Sequence, residues 1–159
     1  MKLGFMTAAL PELSLEQLAA WASGNGFGML EIACWPPGKA ERRYAGVTHI
    51  DVTDFDAAKA KDVLSIMDKY GLEISSLGYY PNALYPDEAH RETVIGHLKK
   101  VIVAAEMLEV PIVGSFVGRD KDKTIEDNLE EFAKVWPPIV KYAADHNVKI
   151  AIENLSLIH

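Results

Sequence analysis

The sequence predicts an α/β fold of the parallel (β/α) barrel type, with five strands and four helices. Three observations predict it. Short apolar runs starting near Leu3, Met29, Leu72, Ile112 and Lys149 alternate with long amphipathic segments, the pattern of parallel strands joined by helical crossovers. Strands 2, 3 and 5 carry Glu31, Glu73, Ser75 and Lys149 at alternate positions, whereas strands covered by helices on both faces read as nearly unbroken apolar runs. Polar groups at that spacing suit a barrel lumen. No Gly-rich phosphate loop follows a strand, because Gly4 and the Gly24/Gly26 pair lack the necessary spacing. The rival architecture is a five-stranded flavodoxin-like open sheet, which would show strand order 2-1-3-4-5 in place of 1-2-3-4-5.

Each element has its own signal. Leu3 to Thr7 reads as strand 1, and Ser14 with Gln17 forms a capping-box pattern before a helix from Leu15 to Ser23. That helix places Leu15, Leu18, Ala19 and Ala22 on one side, and Gly24 and Gly26 stop it. Strand 2 runs from Met29 to Cys34, where Trp35-Pro36-Pro37 ends it, since proline donates nothing to a ladder. A long polar loop with Arg42, Arg43, Tyr44 and His49 follows; loops of that length are more often functional. Helix 2 covers about Asp56 to Tyr70 with Val63, Leu64 and Met67 inward, and Gly71 closes it. Strand 3 spans Leu72 to Tyr80 and is followed by the rigid stretch Pro81 to Pro86. Helix 3 runs from about Asp87 to Leu108, strand 4 from Ile112 to Val117. Thr124 caps helix 4, which is expected to bury Leu129, Phe132, Ala133 and Trp136 and to kink at Pro137-Pro138. The last strand lies in the stretch Val148 to Asn154 and carries Glu153 at its C-terminal end, the edge where parallel α/β folds place their chemistry.

The 159 residues suffice for one domain with a real core. A net charge of -7 argues against a phosphate-backbone partner, so no nucleic acid is expected. Cys34 is the single cysteine and excludes an internal disulfide, which suits a reducing compartment. Met1-Lys2 leads directly into a strand and no apolar run approaches membrane-spanning length. Neither a signal peptide nor a membrane partner is expected, and the location expected is cytoplasmic.

Several stretches are specific: LEIACW at 30–35, AERRYAGVTHIDV at 40–52, SSLGYYPNAL at 75–84, FVGRD at 116–120, EEFAKVWPPIVKYA at 130–143 and IAIEN at 150–154. On them the chain resembles the xylose isomerase-like TIM barrels, specifically the sugar phosphate isomerase/epimerase family. The resemblance implies a divalent-metal enzyme, using Mn, Mg, Co or Zn, that moves a proton next to the carbonyl of a small sugar or sugar phosphate through an ene-diolate. It also implies that Glu153, at the end of strand 5, is both metal ligand and catalytic acid/base. The family's further ligands, an Asp, a His and a second Glu, come from strands 6 to 8 and have no counterpart here. Residues 1–159 are thus expected to be a single barrel domain truncated after strand 5. It would be either part of a longer chain or a homo-oligomer joined through its open sheet edges.

Substrate contacts are expected at Trp35 and Phe116, aromatic residues at strand ends, and at His49 in the long loop. They are also expected within the cluster Tyr79, Tyr80 and Asn82 after strand 3. His90, His97 and His146 fall on helices and read as structural, as does Cys34. Two other function classes remain: a metal-dependent endonuclease IV-like barrel, and a non-catalytic half-barrel that binds a partner.

Overall fold

Every helix begins on a side chain that accepts from its own first turn. Ser14 takes the Gln17 amide, Asp56 the Lys59 amide, Asp87 the His90 amide and Thr124 the Asp127 amide; Ser14 and Thr124 complete capping boxes. In the computed structural model, which describes residues 1–38 and 45–153, these caps open α1 (Leu15–Gly24), α2 (Ala57–Tyr70), α3 (Glu88–Met107) and α4 (Ile125–Asp145). Between them run β1 (Gly4–Met6), β2 (Met29–Ala33), β3 (Glu73–Gly78), β4 (Ile112–Ser115) and β5 (Lys149–Ile152). A single 3-10 turn, Thr7–Ala9, follows β1, and the buried Thr7 hydroxyl accepts the Ala33 amide at 2.9 Å.

The five strands form one wholly parallel sheet in the order β1-β2-β3-β4-β5. That order excludes the flavodoxin-like alternative. Successive helices touch, α1 on α2, α2 on α3 and α3 on α4, so the helices make one layer that follows the strands round. Leu30, Ile32, Leu77 and Val113 point into that layer and are fully buried with Leu18, Leu98, Val101, Ile102 and Trp136. Each such side chain stabilises the fold by about 1.5–3 kcal/mol.

Three expectations are corrected. Register shifts between Leu30 and Glu31, so that Glu31 stands opposite Ser76 and Ser75 has no partner; the inward polar residue of β3 is Ser76, because the bulge moves the alternation by one. Leu64 is exposed, on a groove between α2 and α3 beside Met107. On α4, Leu129 (61% exposed), Phe132 and Ala133 lie outside the core, and Trp136, Ile139 and Ala143 are buried instead. As the last helix of the layer, α4 meets α3 and β5, and the flank carrying Leu129 faces no described neighbour. The 21 residues of α4 include Pro137 and Pro138 within the helix. Strands 1 to 4 are also shorter than their apolar runs, because the runs include the residues that leave the ladder.

Candidate functional site

Side chains alternate along a strand, and neighbours opposite one another in a parallel sheet share a face. Register therefore sorts the strand ends. Ile32, Leu77, Val113 and Ile150 form one row on the helix side, while Ala33, Gly78, Gly114 and Ala151 form a row on the opposite, lumen side. The row below it contains Met6, Glu31 and Ser76. The row above falls just past the strand ends and contains Trp35, Tyr80, Phe116 and Glu153. Backbone bonds from Cys34 to Gly78, from Tyr79 to Gly114 and from Glu153 to Ser115, each 3.0 Å, carry the ladder that far.

The middle row holds only small residues, and that emptiness shapes the site. Tyr80 leans down through it and donates its hydroxyl to Glu31 Oε1. A Cβ at Gly78 would lie 2.6 Å from that Glu31 oxygen, and one at Gly114 would overlap the Tyr80 hydroxyl. Above, the Tyr80 ring lies 4.7 Å from Phe116 and 5.8 Å from Trp35, centroid to centroid. Three aromatic rings from β2, β3 and β4 thus form a half-buried wall beside the exposed Glu153. Burial pushes the Tyr80 hydroxyl well above the usual phenol range, and the carboxylates of Glu31 and Glu153 push it further. It stays a donor.

Three residues expected at the site sit otherwise. Tyr79, one position before Tyr80, has the opposite parity: it is 3% exposed and packs 4.6 Å from the His97 ring of α3, in the core. The ring facing the lumen is that of Tyr80. His49 bonds through Nε2 to the Leu13 carbonyl at 3.1 Å, and its Nδ1 is buried without a hydrogen-bond partner among the described residues. It ties the returning loop, whose Thr48 pairs with Cys34, to the segment before α1. Asn82 is committed to backbone, donating to the Arg119 carbonyl at 2.7 Å and accepting from the Leu84 amide at 2.9 Å. It locks the β3–α3 loop onto the β4–α4 loop. Arg42 and Arg43 lie outside the described residues. Glu31 was visible in the sequence as a lumen polar residue, but no local signal connected it to Tyr80, because their contact crosses 49 residues of chain.

Cys34, His146 and His90 lie away from the upper lumen row. Cys34 is buried, and burial, with Glu31 adding, raises its thiol far above the range of a nucleophile. His146 contacts the Glu106 carboxylate at 2.6 Å, and His90 lies against Tyr85. An open groove of about 610 Å³ exists between α2 and α3, bounded by Lys61, Leu64, Asp68 and Met107, but it lies outside the helix layer and away from the strand ends.

His97 donates from Nε2 to the Cys34 carbonyl at 2.8 Å, since a carbonyl only accepts. Burial first, then Lys100, holds His97 below the ordinary imidazole range, against the Cys34 carbonyl and Asp51. Burial likewise lowers His49, against the Leu13 and Leu10 carbonyls. A lowered folded-state pKa means that the unfolded chain takes up the proton first, near pH 6.5. This contribution to stability is therefore complete above about pH 6.5 and is lost as pH falls toward the lowered native value. The melting temperature is expected to drop from pH 7 to pH 5, with a shallower slope in His97→Gln. Equal slopes would remove His97 as the cause.

Comparison with known proteins agrees with this geometry. Residues 19–157 match the family described as the xylose isomerase-like TIM barrel, and the chain belongs to it. No curated protein matches the sequence. Among solved structures, it is similar to a D-psicose 3-epimerase studied in the presence of D-fructose (TM-score 0.71, 15% identity, covering 99% of this chain and 53% of that one). It is also similar to the D-psicose 3-epimerase of Clostridium cellulolyticum with D-tagatose (TM-score 0.70, 18% identity, 98% and 53%). A third is the IolI protein with a bound zinc atom (TM-score 0.64, 17% identity, 96% and 51%). The chain spans about half the length of these structures. No helix among the described residues is long and apolar enough to cross a membrane.

Proposed function

We propose that this chain carries the first five strands of a sugar or sugar-phosphate isomerase/epimerase, with Glu153 moving the proton beside the sugar carbonyl. The observation that carries the reading is the upper lumen row: an exposed carboxylate at a strand end beside three aromatic rings. Aromatic faces suit the C–H faces of a sugar, and a carboxylate at the strand edge suits a base. Ketohexoses are the first substrates to test, because two of the similar structures were studied with D-fructose and D-tagatose.

Glu153 takes the proton from the carbon next to the carbonyl, leaving an ene-diolate. Returning it to the adjacent carbon, while the hydroxyl proton passes to the former carbonyl oxygen, gives isomerisation; inverting the centre requires a donor on the opposite face. A divalent ion, which the family implies, would polarise the sugar oxygens, and Glu153 is the carboxylate this chain would lend it. Among the described residues no three His, Cys, Asp or Glu side chains gather as a metal site. These residues alone do not fit the ion, and no step is assigned to it.

In deuterium oxide with D-fructose, slow exchange at the carbon next to the carbonyl is expected by NMR, falling about 100-fold or more in Glu153→Gln. Sugar binding without exchange would leave a binding role, and absence of binding would sink the reading. Light scattering on the same sample tests a second reading, association through the sheet edges. It is favoured by Ile125 (73% exposed), Leu129, Val140 (50%) and Ile152 (44%) along α4 and β5. A reducing, cytoplasmic setting belongs to the same proposal.

A further inference from the structure

Resting on the sugar reading above, we infer that Tyr80 is the stacking surface for an unphosphorylated ketose and that Glu31 is its positioning residue. The argument begins with the empty middle row. Two neighbouring strands place glycine at the same level, and a side chain at either would collide with the Tyr80–Glu31 pair. Gly78 and Gly114 thus form a cradle fitted to a ring that crosses from the strand ends to the row beneath.

The hydroxyl bond holds the ring by its far end. A tyrosine tethered this way cannot swing out with loop motion. Its ring lies beside Trp35 and Phe116, at interplanar angles of 31° and 53°, in the row past the strand ends that also holds Glu153. Such a surface takes the apolar face of a sugar and leaves its hydroxyls to Glu153 and the loops. Charge selects the ligand further. Glu31 bonds the Tyr80 hydroxyl from the row beneath and Glu153 stands in the same lumen row as Tyr80, so a phosphate stacked here would meet two carboxylates.

The test is saturation-transfer NMR on the full chain with D-fructose and with fructose 6-phosphate, each variant first checked by urea unfolding. Tyr80→Leu and Glu31→Ala are each expected to weaken D-fructose binding about tenfold, while Glu31→Gln, whose oxygen still accepts the hydroxyl, stays within about threefold. Fructose 6-phosphate is expected to bind about tenfold more weakly than D-fructose. Without sugar, a downfield Tyr80 hydroxyl proton should be visible in the parent and lost in Glu31→Ala. Should Tyr80→Leu not fold, Tyr80→Phe keeps the ring and removes the tether, with weaker binding expected. Parent-like binding by the Tyr80 variants, while Glu153→Gln still abolishes exchange, would overturn this inference and leave the proposed function intact. A parent chain that binds neither sugar would overturn both. Tighter binding of the phosphate, or Glu31→Gln as weak as Glu31→Ala, would overturn the ligand class or the positioning role respectively.

Discussion

Trp136→Ala is expected to destabilise the chain by about 3–5 kcal/mol, measured by urea unfolding. Trp136 is 1% exposed and is the largest fully buried side chain. Its removal opens a cavity between α4 and the sheet. It also strands the part-buried Val117 carbonyl, to which the indole N–H donates at 3.1 Å, where a lost partner costs up to about 1–3 kcal/mol. Trp136→Phe separates the two effects, because it keeps most of the packing and loses the donor. Val117 follows Phe116, so the same substitution should loosen the aromatic wall and weaken sugar binding. A loss under about 1 kcal/mol would mean that α4 does not dock on the sheet through this residue.

Gly118→Ala is the second large effect expected, about 2–5 kcal/mol. Gly118 has φ +80°, and a Cβ there would overlap Asn82 Oδ1 and lie 2.9 Å from Asn82 Cγ and 3.0 Å from the Ala83 nitrogen. Backbone strain and collision therefore act together. Gly26 also has φ +80° but would meet nothing within 4 Å, so Gly26→Ala should show only the backbone part, about 1–2 kcal/mol. Repeating Gly118→Ala in an Asn82→Gly background should recover much of the difference, since neighbours in contact couple. Equal losses at the two glycines would mean that the β3–α3 and β4–α4 loops are not locked together by Asn82.

Local signals were reliable where the physics is local. The caps Ser14 and Thr124 were read as such, and Asp56 and Asp87, read only as helix starts, prove to be caps one position earlier, because a cap acts within four residues. The α1 stripe of Leu15, Leu18, Ala19 and Ala22 is buried as its spacing requires. Such signals fail when burial depends on a neighbour. Leu64 and Leu129 have the right spacing and still lie exposed, because a stripe is buried only where another element covers it.

The sequence by itself determined the parallel β/α alternation, the strand order that an acid-bearing lumen implied, and the family to which its motifs belong. It also placed Trp35, Phe116 and Glu153 at strand ends, since those ends are marked by proline, glycine and a change of polarity. Only the tertiary structure decided which side chains share a row. The unpaired Ser75 displaces the alternation of β3 by one residue, and the parity past Gly78 turns Tyr79 into the core and Tyr80 into the lumen. Likewise, the pairing of Tyr80 with Glu31 depends on two glycines from different strands standing side by side. The physical reason is that strand alternation is a local property with period two, whereas register, and every contact across the lumen, is fixed by packing between segments far apart in the chain.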